Sequence, residues 1–548
     1  MLRISIILVL VCLSGLLFAA QWEWVKGYGS MGMDRVWDLA LDTQGNLYIT
    51  GEFIDTLTIQ DQAFIGWGLN DIFVAKFSPA GEFLWAKVFG GMDGDIGLGI
   101  DVDAAGNSYT TGYFASTANF GDQTATAVDS WDIFILKLDT EGNMEWVKTA
   151  GGSSNDIGYG IATMPNGTSI VTGWFGGLTT FHDGSTLTSY GGSDIYVIAI
   201  DTQGNISWKH QAGSPGVEYG YKVDVDYYGN SYVTGSAGAG SDFDGLLAPG
   251  NGMFIASYSP QGQIRWVNSG RNAGVNSIAV DSQPSIIEQY GCVTGRITGD
   301  ATFDSFSLSS VNGSDDAYNA VFDLLTGNWT SAVISGGSAS DKGRACTYYQ
   351  HPYYAGSYED SFELFGFQVT SAGASDAYAY SDAYDTSTWL LSAGGINNDV
   401  ITDIGVDADG KVYVCGWYSG TASFSATQEI NSGADYDLDM FIAKIDPLTT
   451  ENDDQAVTPN SKLISVYPNP FHTSLRIDLN GVCKEVTMIS IYNIKGQLVW
   501  AGIPMRNESI ITWNGKTNNG EDCPSGVYLL QVESGKKDLD TKLLVKIK

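Results

Sequence analysis

Two sets of acidic residues recur at near-fixed spacing along the chain. Counting ten residues on from a series of tryptophans gives Asp34, Asp95, Asp156, Glu218, Asn276 and Asp399, with Asp341 two places late in the sixth copy. The second set is Asp71, Asp132, Asp194, Asp316, Asp376 and Asp439, each opening a β-branched and aromatic run, and it is absent only from the fourth copy. Converging carboxylates suit hard cations such as calcium. A carboxylate in a tight loop can instead accept backbone N–H bonds, once per copy. A third pattern, Asp-x-Asp, appears at Asp101 and Asp103, Asp224 and Asp226, and Asp407 and Asp409. It resembles a fragment of a calcium loop, but the twelfth position, where such a loop needs a bidentate glutamate, is Gly112 or Gly235. Turn chemistry is the reading we carry forward for these pairs, with Asp holding local backbone and Gly at positive φ.

Catalysis finds little support. His182, His210 and His351 fall at unrelated repeat positions and His472 lies outside the repeats. There is no nucleophile elbow, no His-Glu-x-x-His and no phosphate loop. We therefore expect no enzyme, no catalytic, metal or cofactor-binding residue set and no cofactor, with calcium at the acidic sets as the exception to test. Trp67, Trp131 and Trp174 offer flat apolar rings that stack on sugars or pack between repeats.

The elements that position these residues are read from the tryptophans. Trp24, Trp85, Trp146, Trp208, Trp266, Trp329 and Trp389 recur 58 to 63 residues apart, and a period of this length means one supersecondary unit copied in tandem. Each unit predicts a first strand such as GIDVD (99–103) and a second strand ending near Gly51, Gly112, Gly173, Gly235, Gly295, Gly356 or Gly416. A third strand such as DIFVAKFS (71–78) and the Trp strand follow. Eight residues past each glycine sits a bulky apolar residue, from Ile59 to Phe424. Four short strands joined by Gly-containing turns make an antiparallel meander, and radial stacking of such sheets is a β-propeller. The seventh unit stops after its third strand, DMFIAKIDP (439–447), while QWEWVKGYG (21–29) is a spare Trp strand. Pairing the two closes a seven-bladed ring over 21–446 and removes an open edge. In such a meander both acidic sets leave from one end, so they are expected on one face of the disc.

Charge separates the chain into two parts. The whole carries 27 basic and 62 acidic side chains, net −35, but residues 461–548 alone are net +3. So acidic a chain disfavours nucleic acid and anionic membrane surfaces as partners. Residues 1–20 read as a signal peptide, with Arg3, an apolar run and small residues at Ala19 and Ala20. No other stretch approaches a transmembrane segment. Five cysteines remain beyond it, an odd number with no metal spacing. Cys483 and Cys523 share the last part and could pair, whereas Cys292, Cys346 and Cys415 read as apolar fillers. Residues 447–460, polar and acidic, suit a linker.

The repeats resemble the SBBP family of β-propeller repeats, on GIDVDAAGNSYTTG (99–112), DIFILKLDTEGN (132–143) and GVDADGKVYVCG (405–416). That resemblance implies a fold and no shared activity. Residues 461–548 resemble the C-terminal sorting domain of type IX secretion cargo, on YPNPF (467–471), IYNIKGQLV (491–499), SGVYLL (525–530) and TKLLVKIK (541–548). Strand patterns there predict a small immunoglobulin-like β-sandwich. The resemblance implies handling by type IX-like machinery and a secreted or outer-membrane-surface address. The expected role is a non-enzymatic binding or adhesion module for an extracellular protein or glycan. A matrix component without a discrete ligand and a carbohydrate-active enzyme stand as alternatives.

Overall fold

The computed structural model describes residues 20–283, 289–364, 367–383, 388–432, 437–447, 465–467, 471–478, 488–493, 497–502, 510–534 and 537–546. The signal peptide (1–19 of its residues), most of the linker and Cys483 lie outside these residues. All elements assigned among them are β-strands, and the chain divides into two units, the second holding 450–548.

The first unit repeats one antiparallel group. Its first copy runs Arg35–Leu41, Leu47–Ile59, Gln62–Phe77 and Phe83–Gly91, each strand paired with the next. The third strand shows why such groups must stack. Its outer half alternates in exposure, as a hairpin in water should, whereas residues 71–77 are buried without a break. A strand apolar on both faces needs cover on both faces. Neighbouring groups supply it. The first strands Arg35–Leu41, Ile96–Val102, Ile157–Thr163 and Tyr219–Val225 follow one another, then 275–280, Asp341–Tyr349 and Val400–Val406, which returns to Arg35–Leu41. The chain's first strand, Gln21–Tyr28, pairs antiparallel with Leu438–Asp446. The result is an all-β propeller closed by its own N-terminal strand.

The tryptophan period has a specific cause. The indole N–H of Trp85 donates to Thr140 O (3.0 Å), that of Trp146 to Thr202 O (3.0 Å) and that of Trp208 to Pro260 O (3.1 Å), each in the next group's hairpin turn. The turn glycine lies flat on the ring: a Cβ on Gly142 would come within 2.9 Å of Trp85, and one on Gly81 within 3.0 Å of Trp24. Trp24 therefore occupies the same place under the first group that Trp85 occupies under the second. Trp329 departs from this, because it is buried and donates back to Ser269 O at 3.3 Å.

Most second strands differ from expectation. In five groups they run past the recurrent glycine to the bulky apolar residue, as in Leu47–Ile59, where Ile59 is buried, whereas Ser231–Ala237 and Val412–Ser419 end near the glycine as expected. The glycine has another task. The first strand carries a β-bulge in every group, skipping Trp37 in the first. The bulge pushes the Arg35 carbonyl against Gly51, so that any Cβ there would collide with it. A bulge re-aims the extra residue. Here it turns Trp37 and its equivalents toward the axis.

In the second unit, Ser465–Tyr467, Leu475–Asp478 and Ile510–Trp513 form one sheet. Leu498–Gly502, Met488–Asn493, Gly526–Ser534 and Lys537–Lys546 form another. Leu475, Ile489, Trp513, Leu530 and Leu544 from the two sheets share one core. Phe471 packs on Trp513 at 5.3 Å, and Lys546 Nζ donates to Gly515 O (3.1 Å) and Cys523 O (2.7 Å), tying the last strand to the loop. Cys292, Cys346, Cys415 and Cys523 are buried free thiols.

Candidate functional site

Each group has a turn end and a loop end, and both acidic sets lie at the loop end. They are inside it rather than on it. Asp34, Asp71, Asp95, Asp156, Asp194 and Asp341 have no exposed surface. In strand register, the aspartate opening one group's third strand meets the acid preceding the next group's first strand, and a glycine from the Trp strand lies between them. Asp71, Gly90 and Asp95 make one such junction, and Asp132, Gly151 and Asp156 the next. Asp194 with Gly213 and Glu218, Asp316 with Gly336 and Asp341, and Asp376 with Gly394 and Asp399 continue the series. Asp439 with Gly29 and Asp34 closes it. The remaining junction pairs Gly252 with Arg271, and Ala273 takes the place of the second acid. Asn276, which counts by sequence as a member of the set, is the bulge residue of its strand and donates to Gly343 O at 2.6 Å. Asp341, two places late by count, is in register.

One or both oxygens of most of these carboxylates are satisfied locally, both in Asp95, Glu218 and Asp399. Gly91 N–H donates to Asp95 (2.6 Å), Gly395 N–H to Asp399 (2.8 Å) and Trp67 N–H to Asp71 (2.7 Å). Oδ1 of Asp34, Asp71, Asp132, Asp194, Asp341, Asp376 and Asp439 has no partner. Burial pushes Asp34, Asp95, Asp156, Asp341 and Asp399 up to about 7, against loop N–H bonds that pull the other way. Burial and the facing Asp34 push Asp439 to about 8.

In the third Asp-x-Asp pair the first member, Asp407, folds the turn and accepts from Asp409 N (3.0 Å) and Lys411 N (2.9 Å), whereas the other two pairs divide their labour. Their second Asp folds the turn: Asp103 accepts from Ala105 N, Asn107 N (both 3.0 Å) and Asn107 Nδ2 (2.8 Å). The first ties neighbouring groups, Asp101 accepting from Thr163 N (2.5 Å) and Asp224 from Val280 N (2.8 Å). Asp38 and Asp403 do the same toward Ile100 N (2.7 Å) and Leu39 N (3.1 Å). Lys222 crosses the channel to pair with Asp38 and, at 4.0 Å, with Asp403.

Above this crossing the bulges line the channel mouth. Tyr159 and Tyr221 meet edge-on at 5.4 Å, Trp174 meets Tyr219 at 5.3 Å, and Tyr113 stacks on Trp131 at 4.8 Å. The guanidinium of Arg35 lies 5.6 Å from the Trp417 ring and 3.6 Å from Glu52. Burial and then the neighbouring Arg296 hold Arg344 below the usual guanidinium range. Arg35, Arg296 and Arg344 thus gather at one mouth of a very acidic domain. Around it the loops expose Trp67, Trp131, Tyr190, Met31, Met92 and Ile396. Trp67, Trp131 and Trp174 were read from the sequence, but the arginines and the bulge tyrosines were not. Their signal was available: Tyr159, Tyr221 and Arg344 stand three places after the junction acids Asp156, Glu218 and Asp341, but their direction depends on the bulge.

The histidines do not converge. His210 Nδ1 meets Asp244 at 2.8 Å and His351 Nε2 meets Ser381 Oγ at 3.0 Å. Among the described residues no group of three or more His, Cys, Asp or Glu side chains is arranged to hold a metal ion. No helix among them is long and apolar enough to cross a membrane.

Comparison with known proteins agrees with both halves of this architecture. Residues 207–244 match the β-propeller repeat family, and residues 465–546 match the secretion system C-terminal sorting domain. The tail is a sorting domain. It commits the chain to the type IX secretion machinery and to the cell surface or extracellular space. An uncharacterized WD repeat-containing protein, L264 of Acanthamoeba polyphaga mimivirus, is 25% identical over 243 residues, 37% of this chain, which spans 18% of that protein's length. Among solved structures, the Pan2 WD40 domain of Neurospora crassa is similar at a TM-score of 0.37 and 11% identity, over 76% of this chain and 89% of that one. PorZ, a surface component of the type IX secretion system of Porphyromonas gingivalis, is similar at a TM-score of 0.24 and 12% identity, over 94% and 81%.

Proposed function

We propose that the exported protein is a non-enzymatic, seven-bladed binding module that takes an extracellular glycan at the loop end of its channel. The reading rests on one observation: exposed aromatic side chains and three arginines gather around a single channel mouth. Aromatic faces stack on the apolar faces of sugar rings, and guanidinium groups fork onto carboxylates or sulfates. Lys222, Asp38 and Asp403 would form the floor. Acidic polysaccharides are therefore the first ligands to try.

The test is retention of the mature chain on a panel of neutral and acidic polysaccharides. Trp131→Ala and Trp67→Ala should each weaken binding about tenfold, roughly 1.4 kcal/mol, with an unchanged circular dichroism spectrum. Failure to bind any polysaccharide, or binding untouched by both substitutions, would sink the reading. Release of reducing ends would make the protein an enzyme. Assembly without glycan would favour the matrix role. Deleting 465–546 should abolish surface display.

A further inference from the structure

The repeats within the chain act as their own alignment at the junctions. Six junctions place two acids around a glycine, and the remaining one changes all three positions together, to Gly252, Arg271 and Ala273. Acids that merely capped their own loops could be lost singly. Loss as a unit says that the pair serves one shared occupant.

The geometry describes the space for it. A Cβ on Gly336 would lie 2.5 Å from Asp341 Oδ2 and 3.1 Å from Asp316 Oδ1. On Gly90 it would collide with Asp71 Oδ1 and stand 3.0 Å from Asp95 Oδ2. Measured from one point, such distances put the facing oxygens no more than about 5.6 Å apart at Gly336, an upper bound that admits the span of two calcium–oxygen bonds of about 2.3–2.6 Å each. The closing junction adds an independent observation. Asp439 is only 7% exposed and its Oδ1 has no hydrogen-bond partner; it faces Asp34, whose Oδ2 on that side accepts from Ser30 N at 2.7 Å and whose Oδ1 is unpartnered. Asp437, accepting from Gly32 N at 2.5 Å, brings a third carboxylate nearby. Among the described residues, no lysine or arginine forms an ion pair with any of these junction acids. Two buried carboxylates facing each other without a counter-charge are costly.

We propose that the six junction acid pairs each hold one divalent cation, calcium by their all-oxygen donors, and that these ions clamp successive blades together. Water and loop carbonyls complete each shell. With two carboxylates per site the affinity falls in the range of extracellular calcium modules, about 10⁻⁴–10⁻³ M. The proposal is independent of the glycan reading, because calcium is counted with no glycan present.

The experiment is equilibrium dialysis of the EDTA-stripped mature chain against calcium chloride at millimolar concentration and 0.15 M salt. About six calcium ions should bind saturably, and the thermal midpoint should rise by several degrees as binding to the folded state stabilises it. Asp71→Asn with Asp95→Asn should remove one ion, and Gly90→Ala should do the same by placing a methyl between the oxygens. Asp139→Asn, in an exposed turn, should remove none. The isosteric Asn pair decides the matter if the alanine variant folds poorly. Absence of saturable binding up to about 10 mM, or a stoichiometry that neither junction variant lowers, overturns the proposal.

Discussion

The turn end and the loop end of the propeller use the same residue in opposite ways. At the turn end, Asp139 and Asp201 each accept two backbone N–H bonds and an Asn side chain, and hydrogen bonding outweighs their slight desolvation to hold both below the usual carboxylate range. At the loop end, Asp34 and Asp439 are buried face to face, and burial drives both upward. Exposed apolar side chains follow the same division. The turn end shows Leu84, Tyr227, Tyr228 and Leu325, whereas the loop end shows Trp67, Trp131 and Tyr190 beside Met31, Met92, Val217 and Ile396. Satisfied polar groups build a scaffold; unsatisfied ones and exposed rings mark where something binds.

The contrast can be broken experimentally. The largest expected effect lies between the two ends, at Lys222. Lys222→Met should cost about 3 kcal/mol in denaturant unfolding, because Asp38 and Asp403 lose their cross-channel partner. A loss under 0.5 kcal/mol would mean that channel water already screens the pair. A smaller effect is expected at the turn end. Asp103→Ala should cost about 1 kcal/mol by freeing four donors, while polysaccharide binding stays unchanged. Altered binding there would erase the division between the ends.

The smallest effect is a slope against pH. Burial raises Asp101 to about 7 and Asp224 to about 6, where they face each other, Asp38, Asp226 and Lys222. The folded state then holds protons that the unfolded chain has released above about 4. Stability should therefore fall as pH rises from about 4 to 7 and level off above. Asp101→Asn should flatten that fall in thermal melts taken in EDTA, and an unchanged slope would remove Asp101 from the account.

Much of this was legible in the chain before any coordinates. The strand pattern, the antiparallel closure by Gln21–Tyr28 and the common end of the two acidic sets all follow from period, turn residues and alternation. The turn role of Asp103 and Asp226 was legible too, because that chemistry spans only four residues. Counting failed where the backbone does not keep count. The connection from the Trp strand to the next first strand is three residues shorter before Ala273 and two longer before Asp341, which moves Asn276 out of the acidic register and Asp341 into it.

By itself, then, the sequence determined the repeat, the four-strand unit and the sorting tail, since each is set by local spacing and composition. Only the tertiary structure decided which residues share a site. Asp34 and Asp439 stand at opposite ends of the repeats and Lys222 lies midway between Asp38 and Asp403 along the chain, yet ring closure brings each set together. The physical reason is that blades meet through their neighbours' faces and across one axis. Side-chain direction at those meetings is set by a bulge and a glycine, and neither the partner nor the depth of burial is written in local spacing.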